Sequence, residues 1–542
     1  MAKLNLPEKN VVDRVIEYFA PIRAHQRFRA RWMLSIVGSY TGASTSKRSL
    51  STWKPHQIDA DSAILPDLPT LRDRSRDLIR NAPLATGAIN TATTNVIGTG
   101  LKLQARLDRD VLKFSDQEAD AWEKKTEREF RLWAESQDCD ACRILNFASI
   151  QELVFRQTLE SGDVFVLLPK IKRPPLPYDM RLQIIEADRV CNKDNARDTN
   201  MLAGGIEKTI EGIPVKYHIR KDHPGNLLNA QTGATWDVIP VFGEKTGLRN
   251  IIHLYRMLRP GQSRGLPYLS PVIDSLKQLD RYTEAEIMAA VVAGMYTVFV
   301  KTEGGGQFPT SMVGDINVDA VSKASDEDIK MGSGAIVGLK TGESIETADP
   351  GRPNTSFDPF VKAILQQVGV ALEIPFEILI GHFSSSYSAS RAALLEAWRF
   401  FKGRRHWLAD NFCQLVYVTW LYEAIASGRI GAPGYFSDPI MQKAYSGALW
   451  IGDAPSQIDP VKEVDAAEKR LKIGLSTLDE ETTNLTGGDF ETNYPRIKKE
   501  REMMKEIGMD FEKKTAVAPS TEKELPDQVP PYDLKANQGG LV

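Results

Sequence analysis

The chain has 542 residues, of which 42% are apolar and 26% are charged, a composition typical of a globular protein with a large buried core. It carries 68 Lys and Arg residues against 71 Asp and Glu residues, for a formal net charge of −3. This balance argues against a protein that grips nucleic acid by neutralising many phosphates, but it is compatible with a protein along which DNA slides.

Cysteine usage and hydropathy indicate the compartment and the class of protein. Four cysteines in a chain of this length do not suggest a disulfide scaffold, and they fit a reducing compartment. The N-terminus lacks the apolar core of a signal peptide, and no run of about 18 apolar residues is present to form a membrane span. We therefore expect a cytoplasmic protein with about three to five domains or subdomains.

The N-terminal region is predicted to be an arm. Residues 11–33 place five arginines among aromatic side chains. Such a segment is typical of a solvated basic face, with contact to nucleic acid or to a neighbouring subunit as the alternative. Residues 38–68 are rich in Ser, Thr, Gly, Asp and Pro, which predicts a loop or an extended arm.

The next 200 residues alternate between helical and strand patterns, which predicts an α+β domain. A helix that begins near Leu71 is ended by Pro83, and a second helix stops at Gly98. Apolar periodicity predicts further helices, and short β-branched and apolar runs predict strands. The additional helices cover residues 115–136 and 147–161, and the strands cover residues 101–105, 164–168, 182–185, 212–219 and 251–255.

The following region is predicted to be a helix, a small β insertion and a second helix. A long helix covers residues 270–293 and is amphipathic in its first half. Glycine-punctuated short strands over residues 296–355 indicate a compact insertion that is rich in turns. Helix resumes over residues 357–372 and closes at Ile374, which precedes a proline.

Residues 381–388 are small and polar, which predicts a mobile loop. Ser390 is the expected cap of a long helix over residues 391–425, which Gly428 ends. Two further helices are predicted over residues 460–473 and 495–509. The proline-rich tail from Lys513 onward is expected to be disordered.

Few residues have the spacing of a metal or nucleotide site. Cys139 and Cys142 have the spacing of half a zinc site, but a zinc ribbon needs a second pair, so we expect a structural role for them. His253, His382 and His406 lack metal-ligand spacing and are expected at the surface or at an interface. The phosphate-binding pattern GxxxxGK[ST] is absent, which argues against ATP-driven translocation by this chain.

Three carboxylates lie near predicted strand ends. Asp163, Glu186 and Asp188 could together bind Mg²⁺ and serve a nuclease. Acidic residues in such positions are more often ion-pair partners, and we favour that interpretation. We therefore expect no catalytic residue, no cofactor site and no metal site.

Seven short motifs follow one another in a fixed order over roughly residues 70–480. They are Arg76–Asn81 with Pro83, Val96–Leu101, Glu160–Phe165, Ile185–Arg189, Arg259–Gly265, Ser386–Arg391 before a helix that bears Trp398, and Ile458–Glu463. Each motif is weak alone. As an ordered series in a chain of this length, they resemble the lambda family of portal proteins of tailed bacteriophages.

The resemblance implies a structural protein of the virion. Portal proteins form a ring, usually of twelve subunits in the particle, at one vertex of the capsid. Double-stranded DNA is packaged and ejected through that ring. The implied partners are other copies of the chain, the terminase large subunit, the major capsid and scaffold proteins, and a head–tail adaptor, with no membrane. Assembly is expected in the host cytoplasm.

The resemblance also implies an α+β portal fold with a wing, a helical stem, a small β-rich clip and a helical crown. It assigns an N-terminal arm to residues 1–69, the wing to 70–267, stem helices to 268–297 and 356–373, the clip to 298–355, a tunnel loop to 374–390, a long helix with its return to the wing to 391–456, crown or outer helices to 457–512 and the tail to 513–542.

Two groups of residues are candidates for contact with DNA or with a neighbouring subunit. The tunnel loop would present Gly381, His382, Phe383, Ser384, Ser385, Ser386, Tyr387 and Ser388. The long helix would present Arg391, Arg399, Lys402, Arg404 and Arg405 to a neighbour's acidic residues or to the channel. An ordinary solvent loop is the alternative for the first group. For the whole chain, the alternatives are another head–tail connector, a minor capsid protein or a metal-dependent nuclease.

Overall fold

The computed structural model describes residues 16–36, 41–43, 47–226, 234–294, 298–302, 343–347, 357–383, 386–455 and 459–507. The chain divides into two compact units. The first comprises Met1–Asp67 and Leu258–Ser263, and the second comprises Leu68–Met257 and Arg264–Val542.

The first unit is built on short helical elements. Helix α1 spans Pro21–Ile36, and helix α2 spans Ala60–Ile64. The side chain of Asp59 accepts a hydrogen bond from the backbone N–H of Ser62, which caps the start of α2. The prediction of a loop over residues 38–68 was therefore wrong for the stretch that forms α2, where a capping aspartate precedes the helical turn.

The second unit begins with the two helices that the prolines and glycines predict. Helix α3 spans Leu68–Asn81, and α4 spans Pro83–Ile97 with its proline in the first turn and Gly98 at its end. The next helices are α5 (Arg109–Leu112), α6 (Asp116–Glu135) and α7 (Phe147–Ser161). The later helices are α8 (Ile273–Gly294), α9 (Phe357–Ala371), α10 (Phe376–Leu379), α11 (Tyr387–Leu408), α12 (Gln414–Ala426), α13 (Pro439–Tyr445), α14 (Pro460–Lys472), α15 (Leu478–Thr486) and α16 (Phe490–Glu506).

The described strands form small antiparallel sheets. A three-stranded sheet has the order β3–β2–β8, and a four-stranded sheet has the order β4–β5–β6–β7. Two-stranded sheets pair β1 with β11 and β9 with β10. The strands are β1 (Lys102–Ala105), β2 (Asp163–Leu167), β3 (Gln183–Ile185), β4 (Leu202–Ala203), β5 (Ile206–Lys208), β6 (Pro214–Arg220), β7 (Trp236–Pro240), β8 (Ile251–Tyr255), β9 (Val298–Thr302), β10 (Glu343–Thr347) and β11 (Ala448–Ile451).

An aromatic cluster joins the early helices of the second unit to its later ones. Phe130 of α6 meets Trp420 of α12 edge-on at a centroid distance of 5.1 Å. It also packs against Phe147 of α7, Tyr417 of α12 and Trp450 of β11 at 5.7–5.9 Å. Edge-to-face contacts at these distances are the favoured aromatic geometry. Residues 414–451 therefore complete the core that residues 68–161 begin.

The boundary of the long helix differs from the predicted one. Ser386, and not Ser390, provides the cap, because its hydroxyl accepts a hydrogen bond from the backbone N–H of Ala389. Helix α11 consequently begins at Tyr387, four residues earlier than expected. A single π-helical turn at Ala409–Cys413 then separates α11 from α12, so the predicted continuous helix is interrupted.

Most other predicted helices and strands of the described residues are confirmed within a few residues. Several elements that are short or lack clear periodicity were not predicted from the sequence: α5, α10, α13, α15, β4, β5, β7 and β11. Of the predicted β insertion, the antiparallel pair of β9 and β10 is described. Residues 303–342 and the predicted disordered tail lie outside the described residues. Among the described helices, none combines the length and apolarity that a membrane span requires.

We predict that Phe130→Ala lowers the free energy of unfolding of the second unit by about 3–5 kcal/mol, since it removes a buried ring from the centre of the aromatic cluster. The midpoint of urea unfolding, followed by tryptophan fluorescence, measures this effect. Leu132→Ala on the same helix is the control, because its side chain is 64% exposed and should change stability by about 0.5 kcal/mol or less. Equal effects of the two substitutions would contradict the proposed importance of the cluster.

Candidate functional site

The most strongly charged buried site of the described chain surrounds the carboxylate of Asp163. This residue opens β2 directly after α7, and it is fully buried. Its Oδ1 accepts a hydrogen bond from Nη2 of Arg72 on α3 at 2.6 Å. Its Oδ2 accepts one from Nε of Arg264 at 2.6 Å and one from Nε2 of His253 on β8 at 3.1 Å. We call Asp163, Arg72, Arg264 and His253 the Asp163 hub.

Arg264 connects the hub to three further backbone segments. Its guanidinium donates hydrogen bonds of 2.7 Å to the carbonyls of Ala187, Val190 and Gly204. The same group lies over the ring of Phe165, 5.1 Å from its centroid. One buried arginine therefore provides hydrogen-bond donors to carbonyl oxygens that would otherwise lack a partner in the interior.

Two glycines allow the segments of the hub to approach one another. Gly162 has a φ of +91°, and a Cβ there would lie 2.4 Å from the carbonyl oxygen of Gly265. A Cβ on Gly265 would lie 1.9 Å from the carbonyl oxygen of Gly162. A larger residue at either position would push Asp163 and Arg264 apart, because its Cβ would collide with backbone atoms of the other segment.

A second layer of charges surrounds the hub. Arg76 on α3 pairs with Asp188 and lies 3.3 Å from Glu186 and 3.8 Å from Glu160. Nε2 of His223 lies 3.5 Å from a carboxylate oxygen of Glu186. Most of these groups are only partly buried, so solvent screens them more than it screens the hub.

Opposing effects determine the ionisation of the hub. Burial alone would raise the pKa of Asp163, but the charges of Arg264 and Arg72 more than reverse this and hold it well below its usual range. Burial lowers the pKa of Arg72 to about 10 despite its pairing with Asp163. Burial also lowers the pKa of His253, which favours a neutral ring. Because a carboxylate only accepts hydrogen bonds, Nε2 of that ring carries the proton.

The prediction that His253 lies at the surface or at an interface was wrong. Its side chain is buried and its ring stacks on the rings of Phe165 and Tyr255, at centroid distances of 4.1 Å and 4.4 Å, respectively. The hydrogen bond to Asp163 compensates for burying its polar ring. His382 is exposed, and the side chain of His406 is 81% exposed, which confirms the surface prediction for these two residues.

The geometry favours ion pairing over metal binding at the three carboxylates. The hub surrounds Asp163 with two arginines, whose positive charge opposes a divalent cation. Glu186, Asp188 and His223 bring ligand atoms within 4.8 Å of one another, but the guanidinium of Arg76 already occupies both carboxylates. The interpretation of Asp163, Glu186 and Asp188 as ion-pair partners is thus confirmed for the described structure.

The two neighbouring cysteines lie in different environments. Cys139 is buried and Cys142 is exposed, and both are free thiols. Between them, the carboxylate of Asp140 accepts hydrogen bonds from the backbone N–H groups of Cys142, Ile144 and Leu145. The side chain of Asp140 thus stabilises a turn, and the expected structural role of the two cysteines stays a prediction.

The fold brings together four of the motifs that carry the family resemblance. Arg76 lies on α3, Glu160 and Asp163 lie at the α7–β2 junction, Asp188 follows β3, and Arg264 closes the Arg259–Gly265 motif. The sequence analysis assigned no role to Arg72. Its position on the buried side of α3, in register with Leu68, Ser75 and Ile79, was the available signal of a buried ion pair.

The described residues of the predicted tunnel loop occupy two different environments. Gly381 has a φ of +64° and follows α10, and His382 and Phe383 are exposed. Ser384 and Ser385 lie outside the described residues. Ser386, Tyr387 and Ser388 belong to the cap and first turn of α11. The connection between α10 and α11 is therefore shorter than the predicted loop.

The predicted cationic residues of the long helix also differ in their environments. Arg399 is 81% exposed and pairs with Glu396, and Lys402 is exposed near Asn484. Arg391 is half-buried. Arg404 is largely buried, and its guanidinium lies over the rings of Tyr268 and Phe400.

Arg405 has a structural role within its own subunit. Its guanidinium donates hydrogen bonds to the carbonyls of Asn95 and Val96 at the end of α4, and to that of Asp453. A cation in this position satisfies unpaired carbonyls and complements the helix dipole. Of the five predicted cations, Arg399 and Lys402 are those that project into solvent.

Comparisons with known proteins agree with the sequence motifs. Residues 46–405 match the family model described as phage portal protein, lambda family. The portal protein of Escherichia phage N15 is 25% identical over 493 residues, which cover 88% of this chain and 92% of that protein. Portal protein B of Escherichia phage lambda is 24% identical over 478 residues, which cover 84% and 87%, respectively. Among solved structures, the neck of an empty GTA particle gives a TM-score of 0.43 at 13% identity, covering 77% of this chain and 92% of that one.

We predict that Asp163→Asn destabilises the second unit by about 3–5 kcal/mol, since the amide removes the buried counter-charge that Arg72 and Arg264 share. Urea unfolding at neutral pH measures the change. Asp358→Asn is the control, because it removes an exposed pair with Lys362 and should cost about 1 kcal/mol or less. A loss as small as that of the control would show that the hub is not a major source of stability.

The same variant tests the sign of the pH dependence. The folded-state pKa of Asp163 is depressed, so its contribution is present above the unfolded pKa of about 3.9 and is lost as the pH falls toward the folded value. The difference in stability between the wild type and Asp163→Asn should therefore narrow below about pH 4. A difference that stays constant or widens there would contradict this assignment.

Proposed function

The chain belongs to the lambda family of phage portal proteins, and from this premise we propose that it forms a closed ring, dodecameric in the particle, through which double-stranded DNA enters and leaves the head of a tailed phage. The family match is the observation that carries the proposal. It extends over residues 46–405, and the structure gathers the motifs of this region around the Asp163 hub.

The proposal places the protein at one vertex of the capsid after its assembly in the host cytoplasm. Its partners there would be the major capsid and scaffold proteins, the terminase large subunit and, later, a head–tail adaptor. We assign the motor contact to the clip, residues 298–355, of which β9 and β10 are described. The order of α8, this β insertion and α9 favours a portal over another connector ring.

A closed ring requires a head-to-tail contact that repeats with a closing rotation. Arg399 and Lys402 on α11 are the exposed cations that we propose for this contact, facing acidic residues of the neighbouring subunit. Arg391 remains a further candidate, whereas Arg404 and Arg405 have the intramolecular contacts described above.

DNA must slide through the ring without being held. Each Lys or Arg that neutralises a phosphate strengthens the grip, and the proposed tunnel segment from Gly381 to Ser388 contains none. The exposed side chains of His382 and Phe383 could touch the DNA backbone without trapping it. The proposed role is thus structural and not enzymatic, and absence of DNA cleavage in the presence of Mg²⁺ is its expected biochemical result.

We predict that the purified chain assembles into rings. Twelve chains of 60.4 kDa give a native mass of about 725 kDa for the closed form. Mass photometry and negative-stain images of one sample measure mass and shape together, and a neighbouring ring size also fits the proposal. A chain that stays monomeric or dimeric, even with scaffold and capsid proteins present, would overturn it.

We predict that Arg399→Glu weakens ring assembly, because the exposed side chain would then oppose acidic groups of the neighbour. A tenfold rise in the protein concentration at half-assembly corresponds to about 1.4 kcal/mol of interface energy and is the expected order of the effect. Sedimentation velocity over a concentration series measures it. Lys221→Glu is the control, because its side chain is also exposed and pairs with a carboxylate of its own chain, Asp237. Assembly that Arg399→Glu leaves unchanged would remove this residue from the proposed interface.

We predict that the double substitution His382→Ala/Phe383→Ala preserves ring mass but reduces the fraction of packaged genomes that remain in the head. The substitutions shorten the two exposed side chains and leave the Ser386 cap of α11 intact. Nuclease protection after packaging measures retention. Phe436→Ala, at an exposed aromatic residue far from this segment in the sequence, is the control. Equal retention in both variants and the wild type would support an ordinary solvent loop.

A further inference from the structure

The chain separates its charges strongly along the sequence. Residues 18–58 contain seven basic residues and no Asp or Glu. The rest of the chain therefore retains 61 of the 68 basic residues but all 71 acidic residues, for a formal charge of −10. The basic residues of the segment are Arg23, Arg27, Arg29, Arg31, Lys47, Arg48 and Lys54.

The described part of this segment displays both charge and apolar surface. Residues 16–36 are helical apart from Ala20, and the side chains of Arg23, Arg27 and Arg29 are exposed. Next to them, Tyr18, Phe19 and Ile22 are 76–83% exposed. We call residues 18–36 the basic arm. Exposed aromatic residues beside arginines are the composition of energetic centres in protein interfaces.

A surface of opposite character lies on the second unit where α6 approaches the start of α16. Asp116, Glu118 and Asp120 occupy the first turns of α6, and ligand oxygens of Asp120, Glu123 and Glu491 lie within 4.8 Å of one another. We call Asp116, Glu118, Asp120, Glu127, Asp489 and Glu491 the acidic face, and the carboxylate of Glu123 is buried behind it.

Several carboxylates at and behind the acidic face share one arginine. Arg109 pairs with Asp116, Asp120 and Glu123, and one guanidinium thus serves three carboxylates. Burial, together with the charges of Asp489 and Glu123, raises the pKa of Glu127 to about 7. A cationic partner would relieve this repulsion.

The observations favour a protein surface over DNA as the partner of the basic arm. Double-stranded DNA offers phosphates but keeps its base faces stacked, so it gives Tyr18, Phe19 and Ile22 little to bury. Seven cations that hold phosphates would also oppose sliding, which the proposed function requires. Another copy of this chain supplies acidic groups and is present at high local concentration in a ring.

We propose that the basic arm of one subunit docks on the acidic face of a neighbouring subunit. The inference rests on the proposed ring. In a head-to-tail ring, each subunit can bind one neighbour through its basic arm and the other neighbour through its acidic face. Arg23, Arg27 and Arg29 pair there with the carboxylates, while Tyr18, Phe19 and Ile22 cover apolar surface beside them.

Photo-crosslinking of full-length rings tests the proposal directly. Phe19 is replaced by p-benzoylphenylalanine, the rings are irradiated, and the products are separated by denaturing electrophoresis. The expected result is a ladder of crosslinked dimers, trimers and larger species, with crosslinked peptides from residues 109–127 or 489–506. Rings of normal mass that yield only monomeric bands, or crosslinks to other regions, would overturn the arm contact and leave the portal function standing.

Charge reversal provides a second, independent test. Arg23→Glu/Arg27→Glu/Arg29→Glu should abolish the ladder. The control Lys462→Glu/Lys469→Glu/Lys472→Glu, at exposed positions of α14 outside the proposed contact, should preserve it. Adding Asp116→Arg and Asp120→Arg to the arm variant should restore crosslinking. Restoration is the result that a merely misfolded arm would not give. If the arm variant instead keeps its ladder and loses more than tenfold in affinity for a duplex oligonucleotide, the arm binds nucleic acid and the proposal fails.

Discussion

The burial of Asp163 between Arg72 and Arg264 is the constraint on which the α+β part of the second unit depends. Moving an ion out of water costs several kcal/mol, and pairing offsets this cost only while every partner stays in place. Displacement of α3 or of the segment after residue 263 would leave a buried charge without its partner, and displacement of β8 would remove a hydrogen bond from Asp163. The hub therefore fixes the relative positions of these elements more strictly than apolar packing alone, which tolerates small shifts.

Charged residues of the long helix serve two different purposes. Arg404 and Arg405 hold α11 against its own subunit, through aromatic rings and through the carbonyl end of α4. Arg399 and Lys402 project into solvent, where a contact is screened by salt and contributes little until a partner excludes water. In the proposed ring, this division would let Arg404 and Arg405 hold the helix in place while the contacts of Arg399 and Lys402 form during assembly.

The sequence predicted local elements well and long-range partners poorly. Pro83, Gly98 and Gly162 act on the backbone within a few residues, so the ends of α4 and α7 could be located from the sequence. The partners of Asp163 lie about 90–100 residues away, and no periodicity connects them. For this reason, the sequence did not predict that His253 is buried. Ser386 and Ser390 are both suitable caps, and only the geometry of the turn selects the first.

Docking of the basic arm on the acidic face of a neighbouring subunit would also favour closure of the ring. In an open chain of subunits, one basic arm and one acidic face remain without a partner at the two ends, and the apolar side chains of that arm stay in water. When the ring closes, the two ends already belong to the same assembly. The last contact therefore forms at a high effective concentration and costs little additional translational entropy. The same contact made between separate rings would lack this advantage. Segregating opposite charges at two places on one chain therefore favours a closed assembly over an open filament, provided that the subunit rotation brings the ends together.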